Sequence, residues 1–454
     1  MPAYVILGSQ YGDEGKGKII DFCTNNIQAL DRRRRGRYAR PADMVVRFSG
    51  GNNAGHTVRN PLGEFKLHLV PAGIYNPQTL NIIGPRVAVD FWSLFNKDPD
   101  KPGELQVLMR EGGLELRDIL RRLRISKKAH LVFPWHIWED ELQEETRGKS
   151  AIGTTKRGMG PMFTDKTARF GLRIGDLNDR KEFCKKFRNV WDYKCNLFTR
   201  LYEKPHSWLE KHLGKDRKAT MLNDLFHFTE IFGPTFAHVE PILQRALDTG
   251  RYILFEGAQG YLLDIDHGSY PNVTSSNCGV EAAYSCGITK FDEVIGVVKA
   301  YTTRVGSGPL PTEMDPKIAD TFREVTNEFG ATTGRPRRIG WLEVPALRYF
   351  VRMNGVTGIA LTRLDSLDYF SSIKIGVGYR NCSEDFSRVL DGHKVKAVFE
   401  EVKGWGSKKS ARGHTTFASL PSQAQRFCRL IEKKVGPLRL ISTGPERNET
   451  IVMA

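Results

Sequence analysis

Short, almost unbroken apolar runs recur along the chain, each followed by a loop: Tyr4 to Leu7, Met44 to Phe48, Tyr252 to Phe255, Val294 to Val298, Gly358 to Thr362 and Leu438 to Ile441. Runs of this length without polar alternation predict parallel strands covered on both faces. Between them, Leu114 to Arg124 and Pro421 to Lys433 repeat apolar positions at spacings of three and four, which predicts helices. Strands alternating with helices predict an α/β fold with a mostly parallel sheet.

No internal repeat and no long Pro/Gly/Ser linker divides the 454 residues, so one elaborated domain spanning 1–454 is expected. Surface insertions are expected near 31–43, where DRRRRGRYARPAD interrupts the path to the second strand, and near 95–106, FNKDPDKPGELQ. A mostly helical elaboration is expected near 181–235.

Lys and Arg exceed Asp and Glu by 68 to 52, and this net +16 points to an anionic partner without identifying it. The basic run Arg32 to Arg35 is read as a solvated loop. A nucleic-acid contact is the alternative, but no aromatic interleaving accompanies the run. Seven cysteines form neither a CxxC nor a disulfide framework, which fits a reducing compartment. The N-terminal residues lack a basic region with a long apolar core, and no segment reaches the roughly 18 apolar residues of a membrane span. A cytoplasmic protein without a membrane partner is expected.

In parallel sheets ligands gather at the carboxyl ends of strands, and the loops there are unusual. The first, GSQYGDEGKGKIIDF, departs from the phosphate-loop pattern G-x-x-x-x-G-K-[ST]: Gly17 stands where a hydroxyl is wanted, and Gln10 stands where the first glycine belongs. Glycines 8, 12, 15 and 17 still let backbone N–H groups approach phosphate, and Lys16 and Lys18 add charge. A carboxylate beside phosphate is repelled unless it binds a metal or takes a proton, so Asp13 reads as chemical. Helix capping is the alternative, and it suits Glu14 better.

The second loop, SGGNNAGHT, exposes His56 among small residues, where its titration range suits acid catalysis; a structural hydrogen-bonding role is the alternative. Thr154 and Thr155 in GTTKRGMGP, and Arg335, Arg337 and Arg338 behind Gly334, offer hydroxyls and guanidiniums for anions. In TRLD after a buried strand, Asp365 could accept from both N1 and N2 donors of guanine, which adenine lacks.

Together GSQYGDEGKGK, GNNAGHT, AIGTTKRGMGP, FEGAQGYLLDIDHGSYPNVTSSN, KAYTTRVGSGPLPTE, TTGRPRRIGW, LTRLDSLD and STGPER resemble, in order and across nearly the whole chain, the adenylosuccinate synthetase family. The resemblance implies a large twisted sheet distantly like that of GTPases. It also implies a Mg²⁺-dependent ligase that joins IMP to L-aspartate with GTP, through a 6-phosphoryl intermediate, as a homodimer. By this resemblance Asp13 takes the N1 proton of IMP and ligates Mg²⁺ with the Gly55 carbonyl, while His56, Lys16 and Gln259 complete the catalytic set.

Asn53, Thr155, Thr274, Gln259, Arg335 and the backbone at Val305 would hold the nucleotide, and Arg169 would reach the neighbouring subunit's site. Ala331, Thr332, Thr333, Gly334 and Arg335 would close over aspartate. Gly12, Gly15, Lys16, Gly17 and Lys18 would cradle GTP, with Gly55, Thr57 and Arg337 nearby. Arg363, Asp365, Ser442 and Gly444 would frame its guanine. The sequence departs from the family at Tyr11, usually Trp, at Arg363, usually Lys, and in CGVEAAYSCG, which places Glu281 and Tyr284 near nucleotide-binding blocks. The alternative is a related ligase acting on another 6-oxopurine nucleotide such as dGMP, with another phosphoryl donor. Glu281 could then accept from the exocyclic amine if it pointed inward.

Overall fold

The computed structural model describes residues 2–31, 40–96, 98, 100–330, 334–380, 382, 386–406 and 409–453. The whole basic run Arg32 to Arg35, two residues of the 95–106 stretch and the expected aspartate contacts Ala331, Thr332 and Thr333 therefore lie outside the described residues.

Ten strands form one sheet: β1 (Ala3–Gly8), β2 (Met44–Arg47), β3 (Leu80–Ile83), β4 (Leu123–Ser126), β5 (Phe236–Ala237), β6 (Ile253–Glu256), β7 (Glu293–Lys299), β8 (Gly358–Thr362), β9 (Leu438–Ser442) and β10 (Thr450–Val452). Their order is β10-β9-β8-β7-β1-β6-β2-β3-β4-β5, and every neighbouring pair is parallel except the antiparallel β9 and β10. The apolar runs are explained by burial on both faces. Tyr4 and Ile6 of β1 pack into one core, whereas Ala3, Val5 and Leu7 pack into the other. The first core receives α1 (Lys16–Asn25) through Ile19, Ile20 and Phe22, and the second receives Leu243, Ala246 and Leu247 of the helix Val239–Asp248.

One expected helix is shorter than its pattern. Helical structure runs only over Leu116–Arg121, and Leu123–Ser126 is instead a strand that buries Leu123 and Ile125 beside β3. The 181–235 stretch contains the helices Arg180–Asn196, His206–Leu213 and Lys215–Phe232. Among the described residues no helix is long and apolar enough to cross a membrane.

From β1 the chain moves outward on one side to β5, returns through β6 beside β1, and then builds β7 to β10 on the other side. This reversal places the carboxyl ends of β1, β2, β6, β7 and β8 around one crevice, where open α/β sheets bind ligands.

Candidate active site

The crevice is a cleft of about 1180 Å³. Its lining includes Gly12, Asp13, Gly15, Lys16, Gly17 and Lys18 from the first loop, and Asn53, Gly55, His56 and Thr57 from the second. Thr155, Gln259, Thr274, Val305, Arg335, Arg337, Arg363, Asp365, Ser442 and Gly444 complete the expected set within it. Two expected residues stand outside this lining: Gly334 and Arg169 are both exposed.

Glu14, not a helix cap, organises the first loop. No side chain caps α1, whose N-cap is Gly15 at φ 85°. The buried Glu14 carboxylate instead accepts from Gln10 N at 3.0 Å and Gly12 N at 2.9 Å on one oxygen, and from Lys16 Nζ at 2.5 Å on the other. Folding the loop around this internal carboxylate leaves Asp13 at the cleft with its own backbone at φ 59°. Seven described non-glycine residues have positive φ, and Asp13, Arg169, Gln259 and Arg363 are four of them. Such backbone is unfavourable for residues with a Cβ and tends to concentrate where a side chain must be aimed.

Gly17 occupies the motif's hydroxyl position for a steric reason. A Cβ there would lie 2.9 Å from Thr57 O and 3.0 Å from His56 Cδ2, so glycine lets the hairpin His56–Asn60/Gly63–Leu67 close onto α1. Lys18 differs from its expected part. Its ammonium donates to Ser442 Oγ at 2.6 Å, Gly444 O at 2.5 Å and Glu449 O at 2.7 Å, which uses all three protons. Burial pulls this lysine down to about 8. It braces the end of β9 and the loop that follows it.

His56 also departs from its reading as an acid titrating in the ordinary range. Burial, reinforced by the charge of Arg47, holds the imidazole well below its usual 6.5. Arg47 Nη1 lies 3.2 Å from His56 Nδ1, and a guanidinium only donates, so the proton of the neutral ring resides on Nε2. That nitrogen is buried without a hydrogen-bond acceptor and stands 3.6 Å from Glu256 Oε1. His56 is therefore a neutral donor held in one tautomer. The amide of Gln259 is likewise buried with both polar atoms unpaired. The Lys16 ammonium and the Gln259 carbonyl converge on Gly8, where an added Cβ would lie 2.6 and 2.5 Å from them.

Asn53 Nδ2 donates to Thr274 Oγ1 at 3.3 Å, joining two expected nucleotide contacts. The Thr155 segment is held from below by the helix α2 (Pro134–Arg147). Asp140 accepts from Thr154 Oγ1 at 2.9 Å and Gly158 N at 3.0 Å, and Glu144 accepts from Gly153 N at 2.6 Å. Arg335 Nη1 reaches Gly153 O at 3.0 Å, so the arginine loop and the threonine loop meet. Arg337 Nε sits 2.9 Å from Asp13 Oδ2, an ion pair without hydrogen-bond alignment. Glu281 and Tyr284 do not line the cleft: Glu281 Oε1 accepts from Gly279 N at 3.1 Å, and Tyr284 is exposed.

Sequence reading missed several buried charges. Arg47, Glu256 and Lys299 are the last residues of β2, β6 and β7, each about 1% exposed, and Glu328 is fully buried. An ionisable residue closing an apolar strand at its ligand-binding end was the available signal.

Mg²⁺ is a hard ion that takes oxygen ligands, often one or two carboxylates with substrate phosphates and water completing the shell. Among the described residues no group of three or more His, Cys, Asp or Glu could hold a metal. Asp13 and Gly55 both line the cleft and supply only oxygen donors, so they fit an ion shared with phosphates.

A family model described as adenylosuccinate synthetase matches residues 5–451. The adenylosuccinate synthetases of Thermoanaerobacter sp. (strain X514) and Moorella thermoacetica are each 42% identical, over alignments covering 100% of this chain and 99% of theirs. A solved structure described as fully ligated adenylosuccinate synthetase from Plasmodium falciparum superposes with a TM-score of 0.85 at 31% identity, covering 100% of both chains. A succinoaminodeoxyadenylate synthetase of cyanophage S-2L, bound to dGMP and dATP, shares the fold at a TM-score of 0.58 and 18% identity, covering 99% of this chain and 95% of that one. The full-length match, joined to the cleft on the twisted parallel sheet, shows that this chain belongs to the adenylosuccinate synthetase family.

Proposed function

We propose that the chain is a single adenylosuccinate synthetase domain, working in the cytoplasm as a homodimer. It joins IMP to L-aspartate while GTP is converted to GDP and phosphate through 6-phosphoryl-IMP. The observation that carries this reading is the convergence on one cleft of a carboxylate, an ammonium, a neutral imidazole donor and an unpaired amide: Asp13, Lys16, His56 and Gln259.

Asp13 removes the proton from N1 of IMP, which drives electron density onto O6. That oxygen attacks the γ-phosphorus of GTP, and GDP leaves. The Nε2–H of His56 donates to the oxygens on which charge accumulates, a task for a neutral donor that keeps its proton. Lys16 and the amides of Gly15 and Gly17 offset the phosphate charge, while the Gly12 amide holds Glu14. Mg²⁺, held by Asp13 and the Gly55 carbonyl, supplies further charge neutralisation when bound. The amino group of aspartate then attacks C6 and the phosphate on O6 departs.

Asn53, Thr155, Thr274, Gln259 and the Val305 backbone hold IMP, with Arg169 of the second subunit at its phosphate. The 331–335 segment takes aspartate, and Asp365 reads guanine beside Arg363, Ser442 and Gly444. The exposure of Arg169 and its place outside the cleft of its own subunit support a contribution across an interface.

Glu281, turned to Gly279 N and absent from the lining, gives no acceptor for an exocyclic amine at C2, which supports IMP over dGMP. The test is product identification by mass spectrometry with both nucleotides. IMP should exceed dGMP by at least about 10²-fold in kcat/KM, on the scale of one unfavourable polar burial. Faster succinylation of dGMP would contradict the assignment.

A further inference from the structure

Glu328 belongs to no expected motif and does not line the cleft, although its neighbours Asn327 and Phe329 do. Its carboxylate is fully buried and gathers charges from three elements. Oε1 accepts from Lys299 Nζ at 2.6 Å and Tyr301 Oη at 2.5 Å, and Arg363 Nη2 stands 3.5 Å away. Oε2 accepts from Arg337 Nη1 at 2.5 Å. Burial opposes ionisation, but Lys299, Arg363 and Arg337 together hold the carboxyl well below the usual range.

The backbone closes the same knot. Arg337 N donates to Glu328 O at 3.0 Å and Gly330 N to Arg335 O at 2.8 Å, so Glu328 sits at the neck of the loop that carries residues 331–335. Arg337 is thereby fixed at two positions of its planar fork, with Nη1 on Glu328 and Nε on Asp13. Arg363, two residues before Asp365, is drawn toward the other oxygen, Oε1, from a left-handed backbone at φ 60°.

We propose that Glu328 is a positioning residue: without touching substrate, it sets Arg337 against Asp13 and Arg363 beside Asp365, and so registers the phosphoryl donor and the aspartate contact Arg335 on the proton-abstracting carboxylate. This rests on the functional reading above. A carboxylate that merely balanced buried charge would need only to be negative. A positioning carboxylate must also reach Arg337 and Arg363 simultaneously.

Two variants separate these roles. Glu328→Asp retains the charge and shortens the reach by one methylene. Glu328→Gln/Lys299→Met removes one negative and one positive buried charge together, which restores the balance and protects folding. Steady-state kinetics with IMP, GTP and aspartate varied in turn, alongside thermal melting, give the readout.

Both variants are expected to remain folded, with kcat/KM for GTP and for aspartate reduced at least about tenfold, within the ~10² cost of an ångström-scale misplacement. KM for IMP should stay within about threefold of the parent. Parent-like kinetics in either folded variant, or an equal rise in all three KM values, would overturn the proposal. A parent protein that forms no adenylosuccinate in the same assay would instead overturn the functional reading, and with it the donor register.

Discussion

The His56 ring is defined by its tautomer more than by its charge. Because Arg47 donates to Nδ1 and burial disfavours the imidazolium, the ligand-free ring should remain neutral across the window in which an ordinary imidazole titrates, around 6.5. Protonation is disfavoured in the fold relative to the unfolded chain. The stability contributed by the neutral ring is therefore present above the unfolded value and lost as the pH falls through the folded one. NMR titration of the imidazole, assigned by loss of its signal in His56→Asn, should show no inflection near 6.5, and the variant should lose at least about 10²-fold in kcat. An imidazole titrating normally would return His56 to the reading as an ordinary acid, and a variant with near-parental turnover would return it to a structural role.

At this scale the sequence disclosed Asp13 and His56 because glycine-rich loops mark them, and Asp365 because it follows a buried strand. It did not disclose Arg47, Glu256, Lys299 and Glu328. Their importance comes from partners distant in the chain: Arg47 and Glu256 meet across 209 positions, and no local pattern records that contact.

The elements around the cleft are joined by charged tethers as well as by the sheet. Lys18 reaches from α1 to the loop after β9, where Ser442 and Gly444 stand at the expected guanine site. Replacing it by Met would remove a charged donor from both carbonyls, leaving Gly444 O with Ser442 Oγ at 3.1 Å and Glu449 O with Thr443 N at 3.0 Å, and would cut the direct link from α1 to this loop. Lys18→Met should raise KM for GTP at least about tenfold while KM for IMP stays within about threefold, because the brace serves only the far end of the cleft. Equal weakening of both substrates would show instead that α1 as a whole has shifted.

Central strands such as Tyr4 to Leu7 and Gly358 to Thr362 were legible because burial on both faces demands unbroken apolar sequence. The outer strands were less so. Phe236–Ala237 and Thr450–Val452 are too short to carry a pattern, and Leu123–Ser126 follows a helix whose spacing runs into it. Lys18 shows a related gap: sequence shows that a lysine follows a glycine-rich loop, not that its flexible stem leads to Ser442, Gly444 and Glu449.

On the scale of the whole molecule, the family match runs from residue 5 to residue 451, so every residue lining the cleft lies within it. One expected contact, Arg169, lies away from the cleft of its own subunit. If it serves a neighbour, Arg169→Leu and Asp13→Asn proteins should each be inactive alone. Mixing them should then restore part of the activity, because a heterodimer contains one site with both residues intact. No recovery after verified subunit exchange would confine Arg169 to its own subunit.

The mechanism turns on O6 of IMP becoming bonded to the γ-phosphorus of GTP and leaving C6 as an oxygen of phosphate. Incubating the protein with GTP, Mg²⁺, aspartate and IMP carrying oxygen-18 at O6, then measuring the isotope in the products, tests this directly. The account requires adenylosuccinate without the label and inorganic phosphate with one oxygen-18 per turnover, since the C6–O6 bond breaks while O6 is bonded to phosphorus. Unlabelled phosphate alongside adenylosuccinate would mean that GTP is cleaved by water and O6 leaves by another route, which would contradict the mechanism.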